Sequence, residues 1–239
     1  MLPFSKIDKL NKTCYNAIAD EYDSKEHKTC RDFDKFNEIF LKECFNKLFH
    51  NRNIHHYVDI GVGTGKSLEL AYKYLNQNYK NFSIDVIDIS DKMLNIVKKK
   101  FNTIDITYHN TSIFSYKSTQ KYDLIISTLC DPFLTNEYIK VLSALISNDG
   151  IILLTFPTKS FAKKIRNNLT KIEYTIFHDK NKNEFKSYSF CWDDKELITI
   201  LKKYGFEIIH KQNYPLNEYK HILNSNLLLN NKEKENYII

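Results

Sequence analysis

The spacing of apolar positions changes character along the chain. Over residues 5–22 they recur at helical intervals, with Tyr15, Ile18, Ala19 and Tyr22 on one face. Asp32 is read as the cap of a second helix carrying Phe33, Phe36, Ile39, Phe40, Phe45 and Leu48. From residue 56 short apolar runs alternate with helical stretches. The runs predict strands at 56–60, 82–88, 104–108, 122–127 and 150–156, and the stretches between them predict helices at 66–77, 91–101 and 135–147. Beyond Pro157 the order changes. A helix at 159–169 precedes two strand-like runs, Ile172 to Phe177 and Phe185 to Cys191, and the polar segment 178–183 between them predicts an antiparallel hairpin. A helix opening at Asp193-Asp194 follows, then strands at 206–212 and within Ile222 to Leu229. Strands alternating with helices predict an α/β fold whose mostly parallel sheet is covered on both faces.

Glycine sharpens this picture. The 239-residue chain has five glycines, and Gly61, Gly63 and Gly65 fall directly after the apolar run Tyr57-Val58-Asp59-Ile60. Gly150 follows Asn148-Asp149, read as a turn into Ile151-Ile152-Leu153-Leu154, and Gly205 reads as a left-handed helix cap. The cluster at 61–65 calls for a ligand as well, because bare backbone lets a flat or charged group approach closely.

Three glycine-loop chemistries compete for it. The dinucleotide fingerprint GxGxxG needs its third glycine three residues after the second, where this chain has Lys66. The phosphate loop GxxxxGK[ST] matches at Gly65-Lys66-Ser67, yet its first glycine falls on Ile60. A third pattern, Asp-x-Gly-x-Gly-x-Gly with an acid ending the next strand, is met at Asp59, Gly61, Gly63, Gly65 and Asp88.

In this third pattern the chain resembles the class I S-adenosylmethionine-dependent methyltransferases, in their small-molecule branch. The resemblance runs through most of residues 13–212. Residues 13–23 look like the family's opening helix, and Val86-Ile87-Asp88-Ile89-Ser90-Asp91-Lys92-Met93-Leu94 like its second motif. Tyr122-Asp123-Leu124-Ile125-Ile126-Ser127 is similar to its fourth strand, and Ser147-Asn148-Asp149-Gly150-Ile151-Ile152 to the turn before its fifth. Trp192-Asp193-Asp194 and Lys203-Tyr204-Gly205-Phe206 bound a late helix like the family's. The resemblance implies a Rossmann-like seven-stranded sheet with a lid, in one methyltransferase domain over residues 1–239. Within it, 1–50 would form an N-terminal helical lid, 51–156 the cofactor-binding core, 157–191 a substrate-lid insertion, and 192–239 a C-terminal helix and strands.

The resemblance also implies roles. Asp88 would accept both ribose hydroxyls of S-adenosyl-L-methionine, and Gly61 and Gly63 would admit its methionine part. Asp59 would orient the loop or reach the cofactor's amino group through water. Ile89 and Met93 would pack on the adenine, unless they are core. Ser112 stands where the family often has an acid, with Ile113 offering a backbone contact. Thr128 would lie beside the methionine portion. Tyr15 and Tyr22 would close over the cofactor's carboxylate, unless they serve packing alone. Asp131 is the candidate catalytic base, its other reading being a turn residue before Pro132.

Composition narrows the partners. Apolar content of 42% is ordinary for a globular core. No apolar run approaches the roughly 18–20 residues a membrane helix needs, and the start lacks a signal-peptide pattern, so no membrane partner and a cytoplasmic location are expected. Cysteines 14, 30, 44, 130 and 191 form no CxxC pair, and neither a disulfide framework nor a metal site is expected. The net charge of +6 is modest, and Lys98-Lys99-Lys100 is read as a helix end. The expected partner is a small-molecule methyl acceptor, taking the methyl on oxygen or nitrogen. An RNA (tRNA or rRNA) methyltransferase is the alternative. Asp131-Pro132-Phe133 has one proline of the nucleic-acid motif [DNS]PP[YFW] and starts eight residues beyond Asp123. Further rivals are a P-loop-like nucleotide-binding protein and a non-catalytic binding module. The sequence sets no oligomeric state.

Overall fold

The computed structural model describes residues 3–24, 27–50, 52–165, 172–214 and 219. Its central element is a parallel sheet of β1 (His56–Ile60), β2 (Ser83–Asp88), β3 (Thr107–Asn110), β4 (Tyr122–Ser127) and β5 (Ile146–Leu154), in the order β3-β2-β1-β4-β5. The inner strands β1 and β4 are buried on both faces, which is why they read as nearly unbroken apolar runs. Side chains still alternate. Tyr57, Val86, Leu124 and Ile126 point to one face, and Val58, Ile60, Ile87 and Ile125 to the other.

Helices cover both faces. On the first lie α2 (Lys28–Leu48), through Phe36 and Leu41, α3 (Lys66–Asn78), through Leu68, Ala71 and Leu75, and α4 (Asp91–Lys100), through Leu94 and Val97. On the second lie α1 (Phe4–Ile18), through Ile7, and α5 (Asn136–Leu145), through Tyr138, Ile139 and Leu142. Each large side chain buried in this way contributes about 1.5–3 kcal/mol. A short helix α6 (Lys159–Ile165) leads to a separate hairpin of β6 (Ile172–His178) and β7 (Glu184–Phe190), and α7 (Asp194–Lys203) follows, packing Leu197 into the second face. The rest of the helix expected to residue 169 lies outside the described residues.

Several expectations shift. The first helix ends at Ile18 and tightens into a 3-10 turn at Ala19–Glu21. The second starts at Lys28, so Asp32 is not its cap; the residue lies buried inside the helix and pairs with Lys35 at 2.9 Å. β3 begins at Thr107, later than residue 104, because its register is set by pairing Asp85–Asp88 of β2 with Thr107–Asn110. Asn148-Asp149 is no turn: both belong to β5, whose register against β4 slips between Tyr122 and Leu124. Residues 206–212 carry no strand ladder. Gly205 does adopt the left-handed conformation, φ +84°, and its N–H reaches the Lys202 carbonyl. With the run Ile222 to Leu229 outside the described residues, the main sheet counts five strands among those described, against the seven expected.

The hairpin is stitched to α1 by polar side chains: the Ser187 hydroxyl reaches Tyr15 at 3.4 Å, and Asn11 makes the other contacts. Asn11, buried on the helix, donates to the Pro132 carbonyl at 2.9 Å and accepts the Tyr188 N–H at 3.0 Å and the Ser187 hydroxyl at 3.1 Å. Three segments far apart in sequence thereby meet over the ends of the sheet.

Candidate functional site

Strand order reverses between β1 and β4, and in a parallel sheet this opens a crevice beyond the strands' carboxyl ends. A cleft of about 920 Å³, its mouth included, lies there.

The glycine loop forms its floor. Gly61, Gly63 and Gly65 have φ of +71°, +53° and +83°, values that side-chain-bearing residues rarely adopt. The loop is pinned to β2, since the Gly61 and Val62 N–H groups donate to the Ile87 carbonyl at 2.8 and 3.3 Å. The surroundings of the three glycines differ. A Cβ on Gly61 would come within 2.9 Å of the Phe133 ring, and one on Gly65 within 2.8 Å of Phe101. At Gly63 the nearest atom is the Gly61 carbonyl at 3.9 Å, so this position faces open cleft.

Asp88 closes β2 beside that opening. Its carboxylate accepts the Gly63 N–H at 2.9 Å on one oxygen and the Ser90 N–H at 2.8 Å on the other. The cap of α4 falls to Ser90, which accepts the Met93 N–H, and so Asp88 stays free to face the cleft. Burial pushes its carboxyl up to about 6, with the backbone N–H groups pulling the other way.

Asp59 stands behind the lining. Strand alternation turns it to the face of α3, where one carboxylate oxygen accepts the Tyr57 hydroxyl at 2.7 Å and the Ser67 hydroxyl at 2.8 Å. Among the described residues its other oxygen, Oδ1, is buried with no hydrogen-bond partner. Burial raises this carboxyl to about 7 against the pull of Tyr57 and Ser67, and the nearby Asp88 charge adds to the rise.

The N-terminal segment supplies the roof. Tyr15 and Tyr22 line the cleft and pack edge to face at 6.3 Å. Asp34, also in the lining, takes Lys66 at 2.5 Å, and Asp23 holds the same ammonium at 2.9 Å. Burial works to lower the Lys66 proton affinity, yet the two carboxylates win and raise it. A lysine spent in this way is not the phosphate-reaching lysine of a nucleotide loop. Ile89, Met93, Ser112, Ile113, Thr128, Pro132 and Phe133 complete the wall. Leu129, beside Thr128, carries a left-handed φ of +50°.

The sequence therefore brings together Tyr15, Tyr22, Gly61, Gly63, Asp88, Ile89, Met93, Ser112, Ile113 and Thr128 around one cleft. Asp59 backs it. Asp131 does not face it: its carboxylate takes the Ser189 hydroxyl, and its carbonyl accepts the Phe190 N–H at 2.7 Å, tying the loop after β4 to β7. Asp8, Asn11 and Asp34 line the cleft without having been singled out from sequence. Each is one of several polar residues on its helix, with no motif around it.

Residues 58–148, which run from within β1 to the start of β5, match the family described as "Methyltransferase domain". The matched span contains the whole glycine loop and Asp88. Over that span the chain is similar to methyltransferase domains. An uncharacterized protein of Methanocaldococcus jannaschii is 24% identical over 216 residues, 83% of this chain and 77% of its own. An S-adenosylmethionine-dependent methyltransferase from Clostridium acetobutylicum has a similar fold, with TM-score 0.58 at 16% identity over 84% of this chain and 91% of that one. The DhpI–SAM–HEP complex is similar at TM-score 0.61 and 12% identity, over 83% of this chain and 87% of that one. The cleft lies where β1, β2 and β4 end, and the segment before the matched span roofs it.

Proposed function

We propose that this enzyme transfers a methyl group from S-adenosylmethionine to an oxygen or nitrogen of a small molecule. The observation that carries the reading is the single cleft shared by the open Gly63 backbone and the Asp88 carboxylate. The residues present suit a nucleoside that bears positive charge. Asp59 and Asp88 both sit with proton affinities raised toward neutrality, and a cation nearby would relieve their mutual repulsion. Gly63 leaves room for a ligand group to approach the backbone of the loop.

When bound, the cofactor supplies a methyl carbon already activated on a sulfonium sulfur. What remains for the protein is mostly alignment, an effect worth up to about 7–11 kcal/mol. Asp88 would fix the ribose, Gly61 and Gly63 the methionine portion, and Ile89, Met93 and Ile113 would bracket the base. Thr128, Phe133, Tyr15 and Tyr22 would then surround the reacting end. The fold pins Asp131 to Ser189, and we assign it the positioning of the hairpin in place of proton transfer.

The small-molecule acceptor is supported by the roof, in which Tyr15 and Tyr22 line the cleft and α1 is held by Asn11 to Pro132 and Tyr188. Charge supports it too. Asp8, Asp34 and Asp88 line the cleft against Lys66, which is itself neutralised, an arrangement that repels a phosphate backbone. The DhpI relative, named with SAM and a second ligand in its complex, fits the same reading. Calorimetry with S-adenosylhomocysteine tests the cofactor site. Asp88→Ala is expected to bind at least tenfold more weakly while melting cooperatively, since a charge-assisted hydrogen bond is worth about 1.5–3 kcal/mol. Unchanged affinity would remove Asp88 from the site.

A further inference from the structure

Asp8 lines the cleft beside Ser112, and the reading above gives it no role. Its turn of α1 is held at both ends. Before it, the Phe4 ring stacks on Phe114 at 4.2 Å. After it, Asn16 donates to the Asp91 carboxylate at 3.0 Å and accepts the Ser90 hydroxyl at 2.5 Å, while Lys12 pairs with Asp91 at 3.4 Å. The helix thus rests on the start of α4 and on the loop after β3, the two segments flanking that end of the cleft. Burial raises the Asp8 carboxyl above the usual range, and the Ser112 side chain partly offsets the rise.

The chemistry of the neighbours matters here. Ile89, Met93 and Ile113 offer an apolar slot suited to a flat ring. Ser112 already accepts the Phe114 N–H at 3.2 Å, and a hydroxyl that both gives and takes hydrogen bonds discriminates poorly. An ionised carboxylate only accepts. Placed at the edge of a purine slot, it favours an exocyclic amino group and repels a carbonyl oxygen.

We propose that Asp8 accepts a hydrogen bond from the adenine amino group of the cofactor, so that the first helix reads the base. The proposal rests on the cofactor assignment made above. It also gives α1 a place in binding beyond covering the core: the helix that roofs the cleft carries a specificity contact.

S-adenosylhomocysteine and its deaminated counterpart, S-inosylhomocysteine, test it by calorimetry. The wild-type chain is expected to bind the adenosyl compound at least tenfold more tightly. Asp8→Ala should reduce that ratio to within about threefold, because a site built around a hydrogen bond loses discrimination when the partner goes. Asp8→Asn, which keeps the shape and adds a donor, should also narrow it, and serves if the alanine variant does not fold. A folded Asp8 variant that keeps the wild-type ratio overturns the proposal, as does a wild-type chain that binds both compounds equally. A wild-type chain that binds neither overturns the cofactor assignment along with it.

Discussion

Gly61, Gly63 and Gly65 share a left-handed backbone and differ in what surrounds the missing side chain. At Gly65 an alanine would meet Phe101 at 2.8 Å as well as adopting an unfavourable φ. Gly65→Ala should therefore cost stability, about 1–3 kcal/mol in a urea melt. Gly63→Ala carries only the backbone penalty of about 1 kcal/mol, but its methyl enters the open cleft. It should stay folded and lose most affinity for S-adenosylhomocysteine, and the two variants together separate fold from function. Asp59 makes a prediction through pH. Its folded carboxyl titrates near 7, against 3.8 as the ordinary value, so the folded chain holds a proton that the unfolded chain releases. The associated stability is complete below about pH 4 and is lost as pH rises through 7. Asp59→Asn should flatten the fall in stability between pH 5 and 7, as read by denaturant midpoints. Such residues were legible because a glycine cluster and a strand-end acid are rare patterns. Asp8 and Asn11 were not, because a polar residue on a helix's buried face leaves no trace until its partners are known.

Among elements, the inner strands were readable almost to the residue. β1 and β4 match their expected spans because burial on both faces leaves continuous apolar runs. β3 was misplaced since an edge strand with half-exposed residues shows neither a run nor an alternation. The hairpin was legible from its polar turn. What could not be read was where it lands, because that depends on contacts such as Asn11 with Tyr188, 177 positions apart. Asn11→Leu would leave the Pro132 carbonyl and the Tyr188 N–H without their partner. The expected cost is about 2–4 kcal/mol, checked by thermal and urea melts. Thermolysin cleavage of that variant should also speed up within the hairpin relative to the sheet.

For the whole molecule, the cleft is a joint product of distant segments. A matched core at 58–148 supplies its floor, while α1, the turn after it and α2 supply its roof. A ligand lodged among all of them should stabilise them together. S-adenosylhomocysteine at about one hundred times its Kd should add about 2.7 kcal/mol and raise Tm by about 5–10 °C in a single transition. Two transitions, with only one moving, would show that roof and floor unfold separately. No described helix is long and apolar enough to cross a membrane. Asn11 has one last consequence, for the order of events during synthesis. The first helix leaves the ribosome early, yet the strand that completes its hydrogen bonds is translated some 175 residues later. A nascent chain halted before Ser187 would have its opening helix seated on the sheet by Ile7, Asn16 and the Pro132 carbonyl, with no hairpin beside it. Until β7 emerges, the Asn11 carbonyl oxygen on the inner side of that helix lacks both of its donors from the hairpin.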